Sequence, residues 1–225
     1  MGKQLPKKVS SYLGRCLSAL NKPQRKYFPI YLTGLIRLVK FRSIREIAAV
    51  FGNHDTDGLH QFLKASPKKI NRLQEANQQQ IIQSAASPEA LLIIDDTPCP
   101  QDGKKIEGAG IHHGAEGFVR GLCAVTSILK VGTQRLVWTI RGYRPKGTCR
   151  KGTFKSKVQI AIEILTEAIQ TFRSPLTVLM DAWYACAPIL NLIGQAGWIF
   201  LAATKRNRIA EVNGKKISLS RLAKA

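Results

Sequence analysis

Two short segments that end in aspartate decide the fold of this chain: Leu91-Leu92-Ile93-Ile94-Asp95-Asp96-Thr97-Pro98 and Leu176-Thr177-Val178-Leu179-Met180-Asp181. Each begins with a mainly apolar run, which is typical of a strand that is buried on both faces of a sheet. An acidic side chain directly after such a strand is expected at the sheet edge where α/β proteins carry out their chemistry. The two segments therefore predict an α/β domain with carboxylates at one edge of its sheet.

The sequence between and after these segments predicts further strands and helices. Strands are expected at 122–131, 134–143 and 198–203, and helices at 154–172 and 187–195. The tight Gly132-Thr133 turn joins the first two of these strands as a hairpin. An antiparallel hairpin followed by β-α-β units gives a mixed sheet with flanking helices, and this order resembles the ribonuclease H-like fold.

The first ninety residues predict helices almost throughout. Apolar residues recur at helical spacing between positions 27 and 40. Ser43 and Glu46 form a capping box that opens the next helix, which ends near Gly52. A turn at 53–56 and a short helix follow. This outline favours a helix-turn-helix DNA-binding motif, although a three-helix bundle with only a packing role has the same pattern.

We therefore predict two domains. An all-α, helix-turn-helix-like DNA-binding domain covers residues 1–86, and the ribonuclease H-like α/β domain covers residues 91–225. The segment Ala85-Ala86-Ser87-Pro88-Glu89 is the linker between them.

The charge of the chain points to a polyanionic partner. Its 225 residues include 35 Lys and Arg against 14 Asp and Glu, for a formal net charge of +21. Residues 1–90 carry 15 basic and 5 acidic side chains, and residues 91–225 carry 20 and 9. Both halves are therefore suited to a phosphate backbone. Hydrophobic residues make up 44% of the chain, which excludes global disorder.

The sequence favours a cytoplasmic, nucleoid-associated protein with no membrane partner. No stretch has the roughly 18 apolar residues that a membrane-spanning helix needs, and the basic N-terminus has no apolar segment of a signal peptide. The five cysteines are widely spaced, which fits neither a disulfide framework nor a thiolate zinc site and indicates a reducing compartment.

The aspartates have two interpretations on spacing alone. In the first, each carboxylate pairs with one of the many Lys or Arg side chains. In the second, Asp96 and Asp181 meet on adjacent strands and bind a divalent metal. Hard oxygen ligands suit Mg²⁺ or Mn²⁺, which can assist phosphodiester cleavage.

A family resemblance favours the metal site. The segment 92–98, with Gly103-Lys104-Lys105 after it, resembles the first catalytic block of DDE-type transposases from bacterial insertion sequences, and 178–184 resembles their second block. The resemblance implies double-stranded DNA as partner, Mg²⁺ or Mn²⁺ as cofactor, and a cut-and-paste reaction at transposon ends. It assigns the metal-ligand and catalytic roles to Asp96 and Asp181, with Asp95 as a neighbour, although the choice between Asp95 and Asp96 stays open. Whether a homodimer forms also stays open.

The third carboxylate of that family has no counterpart in this sequence. The family places a Glu on a helix after the last strand, within a pattern of Tyr, Arg, Glu and Lys. After Ala203 the sequence offers only Glu211, in a stretch that predicts a strand and an Asn213-Gly214 turn. We therefore expect the third catalytic Glu to be missing, as in a chain truncated at Ala225, and we expect poor or no nuclease activity from the chain alone.

A basic stretch after the hairpin predicts contact with the DNA backbone. Residues 130–157 contain nine basic side chains and no acidic one. Glycines and a proline make the middle of this stretch a loop. The residues assigned to DNA binding are Arg141, Arg144, Lys146, Arg150, Lys151 and Lys155. A solvated charged face is the alternative for them, and phosphate contact would contribute salt-dependent affinity rather than sequence specificity.

Two aromatic or histidine pairs lie beside the aspartate blocks. His112-His113 is interpreted as DNA-facing or structural, because neighbouring strand residues point to opposite faces and cannot share one metal. Trp183-Tyr184 either stacks on an unpaired base or packs in the core.

Three functional classes remain on sequence grounds. The first is a DDE transposase. The second is a truncated, non-catalytic DNA-binding protein or repressor of transposition, which the missing Glu favours. The third is an unrelated basic nucleic-acid protein such as an RNA-processing nuclease, and a comparison of DNA with RNA binding separates it from the others.

Overall fold

The chain divides into two compact units, Met1–Gln80 and Ile81–Ala225. A computed structural model describes residues 11, 13–14, 16–38, 43–50, 55–64, 67–84, 90–103, 105–114, 117–205, 207–222 and 224. The predicted linker 85–89 lies outside these residues.

Helices form the described part of the first unit, and the last of them continues into the second unit. They are α1 (Lys22–Arg37), α2 (Ile44–Val50), α3 (Thr56–Leu63) and α4 (Pro67–Ser84). The predicted capping box is present, since the Glu46 carboxylate accepts from the Ser43 N–H at 3.1 Å and the Glu46 N–H donates to the Ser43 hydroxyl at 3.2 Å. Residues 51–54, most of the predicted turn of the helix-turn-helix, are outside the described residues.

A small core holds α1, α2 and α3 together. Ile47, Ala48 and Leu59 are buried in it, and the rings of Phe28 and Tyr31 pack on Phe62. The Asp55 carboxylate caps α3 by accepting from the Gly58 N–H at 2.8 Å. Capping satisfies an N–H that has no partner within the helix, so it favours the start of α3 at this point.

The second unit is a mixed six-stranded sheet with helices. Its strands are β1 (Leu91–Pro100), β2 (Gly110–Gly114), β3 (Gly117–Val131), β4 (Gln134–Tyr143), β5 (Thr177–Met180) and β6 (Ile199–Ala202). The strand order is β2-β3-β1-β5-β6, with β4 also paired to β3. Strands β1, β5 and β6 are parallel, while β3 is antiparallel to β1, β2 and β4. The predicted mixed α/β sheet with flanking helices is confirmed.

Two helices cover one face of this sheet. They are α5 (Lys157–Thr171) and α6 (Ala187–Gln195). The core between helices and sheet contains Leu92 and Ile94 of β1 and Val178 and Met180 of β5. Because side chains alternate along a strand, the residues between these four point to the other face. We call the two sides the helix face and the open face of the sheet.

Three strands differ from the predicted elements, and one of them, β3, begins at Gly117 rather than at residue 122. Strand β1 does not end after Ile94 but runs on to Pro100, because β3 pairs with it over the whole length from Leu91 to Pro100. Strand β2 was not predicted, since its glycine- and histidine-rich sequence has no strand pattern of its own and forms a strand only by pairing with β3.

A separate small hairpin follows the sheet. It consists of β7 (Ile209–Val212) and β8 (Lys215–Ser218), and the short helix α7 (Leu219–Leu222) comes after it. The predicted strand and Asn-Gly turn are confirmed, with Asn213 at φ 51° and Gly214 at φ 74°. No helix in the described part of the chain has the length and apolar character needed to cross a membrane.

Candidate active site at the carboxyl ends of two parallel strands

Asp95 and Asp181 directly follow paired residues of two neighbouring parallel strands. Ile94 is paired with Met180 in the parallel ladder of β1 and β5, and the two aspartates are the next residues of their segments. Ile94 and Met180 point to the helix face, so the alternation of side chains along β1 directs Asp95 to the open face, while Asp181 begins the turn after β5. Both aspartates are exposed. The parallel register thus brings together two carboxylates that are far apart in the sequence.

The electrostatics of Asp95 indicate a crowded negative site. Although the Asp95 side chain is exposed, the surrounding protein partly desolvates its carboxyl and so raises its pKa, and the charges of Asp96 and Asp181 raise this pKa further. The Asp96 N–H donates a hydrogen bond to Asp95 Oδ1 at 2.8 Å, and this hydrogen bond lowers the pKa of Asp95. Gathered carboxylates of this kind favour a cation between them.

Asp96 lies on the helix face, where protein groups occupy both of its oxygens. Its Oδ2 is 2.5 Å from the ammonium of Lys157, the first residue of α5. Its Oδ1 accepts a hydrogen bond of 3.2 Å from the hydroxyl of Tyr184. The Asp96 and Lys157 side chains are only 15% and 17% exposed. Asp96 therefore takes part in a largely buried ion pair.

Burial and the charge of Asp96 shift the pKa values of Lys157 and Tyr184. Burial disfavours the Lys157 ammonium, but the hydrogen bond and charge of Asp96 outweigh that effect and raise the pKa of Lys157. The pKa of the fully buried Tyr184 hydroxyl is also raised, first by burial and then by the charge of Asp96. His112 is buried on the same face, where Nε2 contacts the Gly121 carbonyl at 3.2 Å. Of the two interpretations of the histidine pair, the structural one fits His112.

A turn after β5 holds Asp181 in place. Asp181 Oδ1 accepts from the backbone N–H groups of Trp183 at 2.9 Å and Tyr184 at 3.2 Å. The guanidinium of Arg208 donates to the carbonyl of Ala182 at 3.2 Å and to that of Ala185. Arg208, the turn, Tyr184, Asp96 and Lys157 therefore form one continuous hydrogen-bonded network behind the two exposed carboxylates.

Lys157, Tyr184 and Arg208 were not identified from the sequence as parts of this network. Lys157 was one of nine basic residues in a run, and nothing local distinguishes it from its neighbours. The packing interpretation of the aromatic pair fits Tyr184, which is buried in the core, whereas Trp183 is exposed.

The six predicted DNA-binding cations fall into two groups. Arg141 pairs with Glu163 at 3.0 Å and with Glu167, and Arg144 pairs with Glu107 at 2.8 Å. Lys155 pairs with Glu163 at 2.6 Å. Glu163 and Glu167 of α5 are thus ion-pair partners of two of the predicted DNA-binding cations, Arg141 and Lys155.

The other three cations are Lys146, Arg150 and Lys151. They are exposed and have no ion-pair partner within the described part of the chain. An open pocket of about 530 Å³ lies beside them, lined by Arg141, Arg144, Arg150 and Lys155 together with Glu107 and Glu163.

The described residues contain no group of three His, Cys, Asp or Glu side chains positioned to bind a metal. Asp95 and Asp181 provide hard carboxylate oxygens, which is the donor type that Mg²⁺ and Mn²⁺ prefer. The pair therefore fits as two ligands of such an ion. Glu211 lies on β7 of the small hairpin.

Comparison with known proteins identifies relatives of this chain. A family model described as DDE superfamily endonuclease matches residues 13–217. A probable transposase for insertion sequence element IS701 from Microchaete diplosiphon is 27% identical over 188 residues. That match covers 80% of this chain and 48% of the relative, so the chain spans about half the length of the relative.

A solved structure has a similar fold. The piggyBac transposase, in a cryo-EM structure of its synaptic complex with hairpin DNA, matches with a TM-score of 0.50 and 13% sequence identity. The match covers 84% of this chain and 43% of that chain. At this identity the likeness concerns the fold alone.

Proposed function

The chain belongs to the DDE superfamily of endonucleases, and from this premise we propose that it acts in DNA transposition. In this proposal it is a transposase that cleaves double-stranded DNA at the ends of an insertion sequence, with Mg²⁺ or Mn²⁺, and then transfers the cleaved strand. It works in the cytoplasm in association with the nucleoid. The proposed catalytic domain, residues 91–225, is ribonuclease H-like. The strand order β4-β3-β1-β5-β6, with β1, β5 and β6 parallel, supports that assignment.

The observation that carries the proposal is the pair of exposed carboxylates of Asp95 and Asp181. They directly follow paired residues of adjacent parallel strands. For the first metal ligand this geometry favours Asp95 over Asp96, the residue assigned from the sequence. Asp96 points to the opposite face and is paired with Lys157.

The residues of this chain have separate roles in the proposed site. Asp95 and Asp181 would hold the metal, which when bound activates an attacking oxygen and stabilises charge on the phosphate. Arg208 and the turn after β5 orient Asp181. The Asp96–Lys157 pair anchors β1 to α5. None of these roles requires the site to be complete within this chain.

The exposed cations support contact with the DNA backbone. Lys146, Arg150 and Lys151 are free to pair with phosphates, and each contact releases counterions from the DNA. Arg141, Arg144 and Lys155, also proposed as DNA-binding residues, would have to exchange their glutamate partners for phosphate. We also propose a DNA-binding role for the helical residues 1–86.

A second candidate function is a non-catalytic DNA-binding protein that represses transposition. The specific observation in its favour is that no third acidic side chain joins Asp95 and Asp181 among the described residues. DDE chemistry uses three carboxylates, so a chain with two would occupy DNA ends without cutting them efficiently.

The first experiment measures DNA binding and metal binding of the purified chain. Fluorescence anisotropy compares duplex DNA from the flanks of the gene with scrambled DNA and with RNA of the same length. Specific binding to the flanking DNA is expected. Replacement of Arg150 and Lys151 by Ala should lower the salt slope of binding by about 1.8, at about 0.9 for each phosphate contact. A preference for RNA would exclude both candidate functions.

The second readout is Mn²⁺ binding followed by electron paramagnetic resonance. Asp95→Asn and Asp181→Asn should each weaken it about tenfold or more, whereas Asp102→Asn, a substitution at an exposed aspartate in the loop after β1, should not. Equal Mn²⁺ binding by all variants would contradict the proposed site. Metal-dependent cleavage that Asp181→Asn abolishes would favour the transposase over the repressor.

A further inference from the structure

The hairpin of β2 and β3 extends beyond the rest of the sheet. Strand β1 ends at Pro100, opposite Gly121 of β3, while β3 begins four residues earlier at Gly117 and there pairs only with β2. We call residues 110–114 with 117–121 the ribbon. It projects from the same end of the sheet as Asp95, because β3 runs antiparallel to β1.

The ribbon exposes two large apolar side chains. Phe118 is 81% exposed and Ile111 is 72% exposed. Isolated exposed apolar residues are common on protein surfaces. These two differ because they share one side of a narrow ribbon, since Ile111 pairs with Arg120 and Phe118 pairs with His113. Paired residues point to the same face. Phe118 and Arg120 are two positions apart along β3, so they also share that face.

This apolar side is continuous with the face that carries the Asp95 carboxylate. Phe118 and Thr126 are an even number of positions apart along β3, so their side chains point to the same face. Thr126 is the partner of Asp95 in the antiparallel ladder of β1 and β3. No register shift interrupts that ladder. A ligand that lies on the open face and follows β3 from Asp95 therefore reaches Phe118.

Several contacts hold the two strands of the ribbon together and tie β3 to β1 and the segment after it. The Phe118 ring packs edge-on against His113, with ring centroids 5.4 Å apart. The Arg120 guanidinium donates to the carbonyls of Gln101 at 3.3 Å and Gly103 at 2.8 Å. At Gly121 a Cβ would lie only 2.1 Å from the Cys99 carbonyl oxygen, so β1 and β3 approach more closely than a side chain allows.

We propose that Phe118 and Ile111 form an apolar contact with duplex DNA, at a distance from the cleaved bond that β3 sets. At about 3.4 Å per strand residue, Phe118 lies about 27 Å from the level of Asp95. That distance corresponds to about eight base pairs at about 3.4 Å each. The Phe118 ring acts as a wedge against a base step, as apolar side chains do in other DNA-bending proteins. This inference rests on the proposed DNA cleavage site at Asp95 and Asp181.

The size and position of the patch favour DNA over a second protein chain. The surface area of two side chains is far smaller than the roughly 800 Å² per partner that a stable protein interface buries. The net charge of +21 attracts a polyanion to the whole surface. An apolar patch on such a surface adds short-range contacts to bases or sugars, which phosphate-binding cations cannot make.

The test compares Phe118→Ala and Ile111→Ala with Ile209→Ala, a substitution of an equally exposed apolar residue on β7. Anisotropy titrations use duplex DNA from the flanks of the gene at several salt concentrations. Phe118→Ala should weaken binding about tenfold, as loss of an aromatic contact with a base does. The salt slope should not change, because no charge is removed. Ile209→Ala should bind like wild type.

Probes in the DNA locate the contact. The fluorescent base 2-aminopurine is placed at successive positions in the duplex. Binding of wild type should unstack this base and raise the 2-aminopurine fluorescence about eight base pairs from the cleaved bond, whereas binding of Phe118→Ala should not. Unchanged affinity and fluorescence for Phe118→Ala, while wild type binds, would overturn the inference and leave the proposed function intact. A change in oligomeric state of Phe118→Ala by light scattering, with unchanged DNA binding, would assign the patch to a second copy and also overturn it. Failure of wild type to bind DNA would instead contradict the proposed function.

Discussion

The Asp96–Lys157 ion pair provides the sharpest test of the site, because it separates a structural aspartate from a metal-binding one. Lys157→Met keeps most of the length of the side chain and removes its charge. The Asp96 carboxylate, 15% exposed, then loses its only ion-pair partner within the described residues and keeps the hydrogen bond from Tyr184. An unpaired, largely buried charge is strongly unfavourable.

The expected magnitudes follow from this burial. Breaking a fully buried pair costs about 3–5 kcal/mol, so a pair with some remaining exposure should lose about 2–3 kcal/mol of unfolding free energy in Lys157→Met. Asp96→Asn should cost a similar amount, since it leaves the ammonium unpaired. The double variant removes both charges and should lie within about 1 kcal/mol of wild type. If the double variant matches wild type, the coupling energy of the cycle is about 4–6 kcal/mol in favour of the pair.

Urea unfolding followed by tryptophan fluorescence measures this cycle in one unit of the protein. All three tryptophans, Trp138, Trp183 and Trp198, belong to the unit Ile81–Ala225. With an urea dependence of about 2–3 kcal/mol per molar, each single variant should lower the midpoint by about 1 M. The double variant should return close to the wild-type midpoint.

Metal binding by the same variants decides the role of Asp96. If Asp96 only anchors β1, the folded double variant Asp96→Asn, Lys157→Met retains Mn²⁺ binding. Additive destabilisation in the cycle, or loss of Mn²⁺ binding by a double variant of normal stability, would refute the reasoning and identify Asp96 as a metal ligand.

Three further variants test neighbouring features by the same urea assay. The raised pKa of Asp95 means that the folded protein loses stability as pH rises through that pKa, so Asp95→Asn should have a higher midpoint than wild type at pH 7, and the difference should vanish below the usual carboxyl range. Equal midpoints at pH 7 would contradict this. Arg208→Met removes charged donors from two carbonyls of the turn after β5 and should cost about 1–2 kcal/mol while also weakening Mn²⁺ binding; stability loss alone would show that the turn does not affect the site. Gly121→Ala forces a Cβ against the Cys99 carbonyl and should cost about 1–3 kcal/mol, whereas Gly142→Ala, where a Cβ has open space, should cost nothing; similar midpoints for both would argue against the close approach of β1 and β3.

Much of the fold was predictable because its signals are local. The β3–β4 hairpin, helix α6 and the small β7–β8 hairpin agree with the sequence pattern, since turn glycines and apolar periodicity act over a few residues. Strand β2 was not predictable, because its stability comes from pairing with β3 and not from its own composition.

The candidate site was predictable in part for a similar reason. An acidic residue after an apolar strand is visible in the sequence, and so both aspartate blocks were found. The partners of the predicted DNA-binding cations were not visible, because Arg141 meets Glu163 and Glu167 only when α5 packs on β4. Lys157 and Arg208 were missed because their partners are distant in the chain.

By itself the sequence determined that acidic residues directly follow two apolar runs and that the chain as a whole is strongly basic. The tertiary structure alone decided that Asp95 and Asp96 point to opposite faces of the sheet and that Asp96 pairs with Lys157. A strand turns each successive side chain to the opposite face, so this arrangement depends on the parallel register of β1 with β5 and on the continuation of β1 to Pro100 along β3. Both are pairings between distant segments, and a shift of one residue would exchange the roles of Asp95 and Asp96.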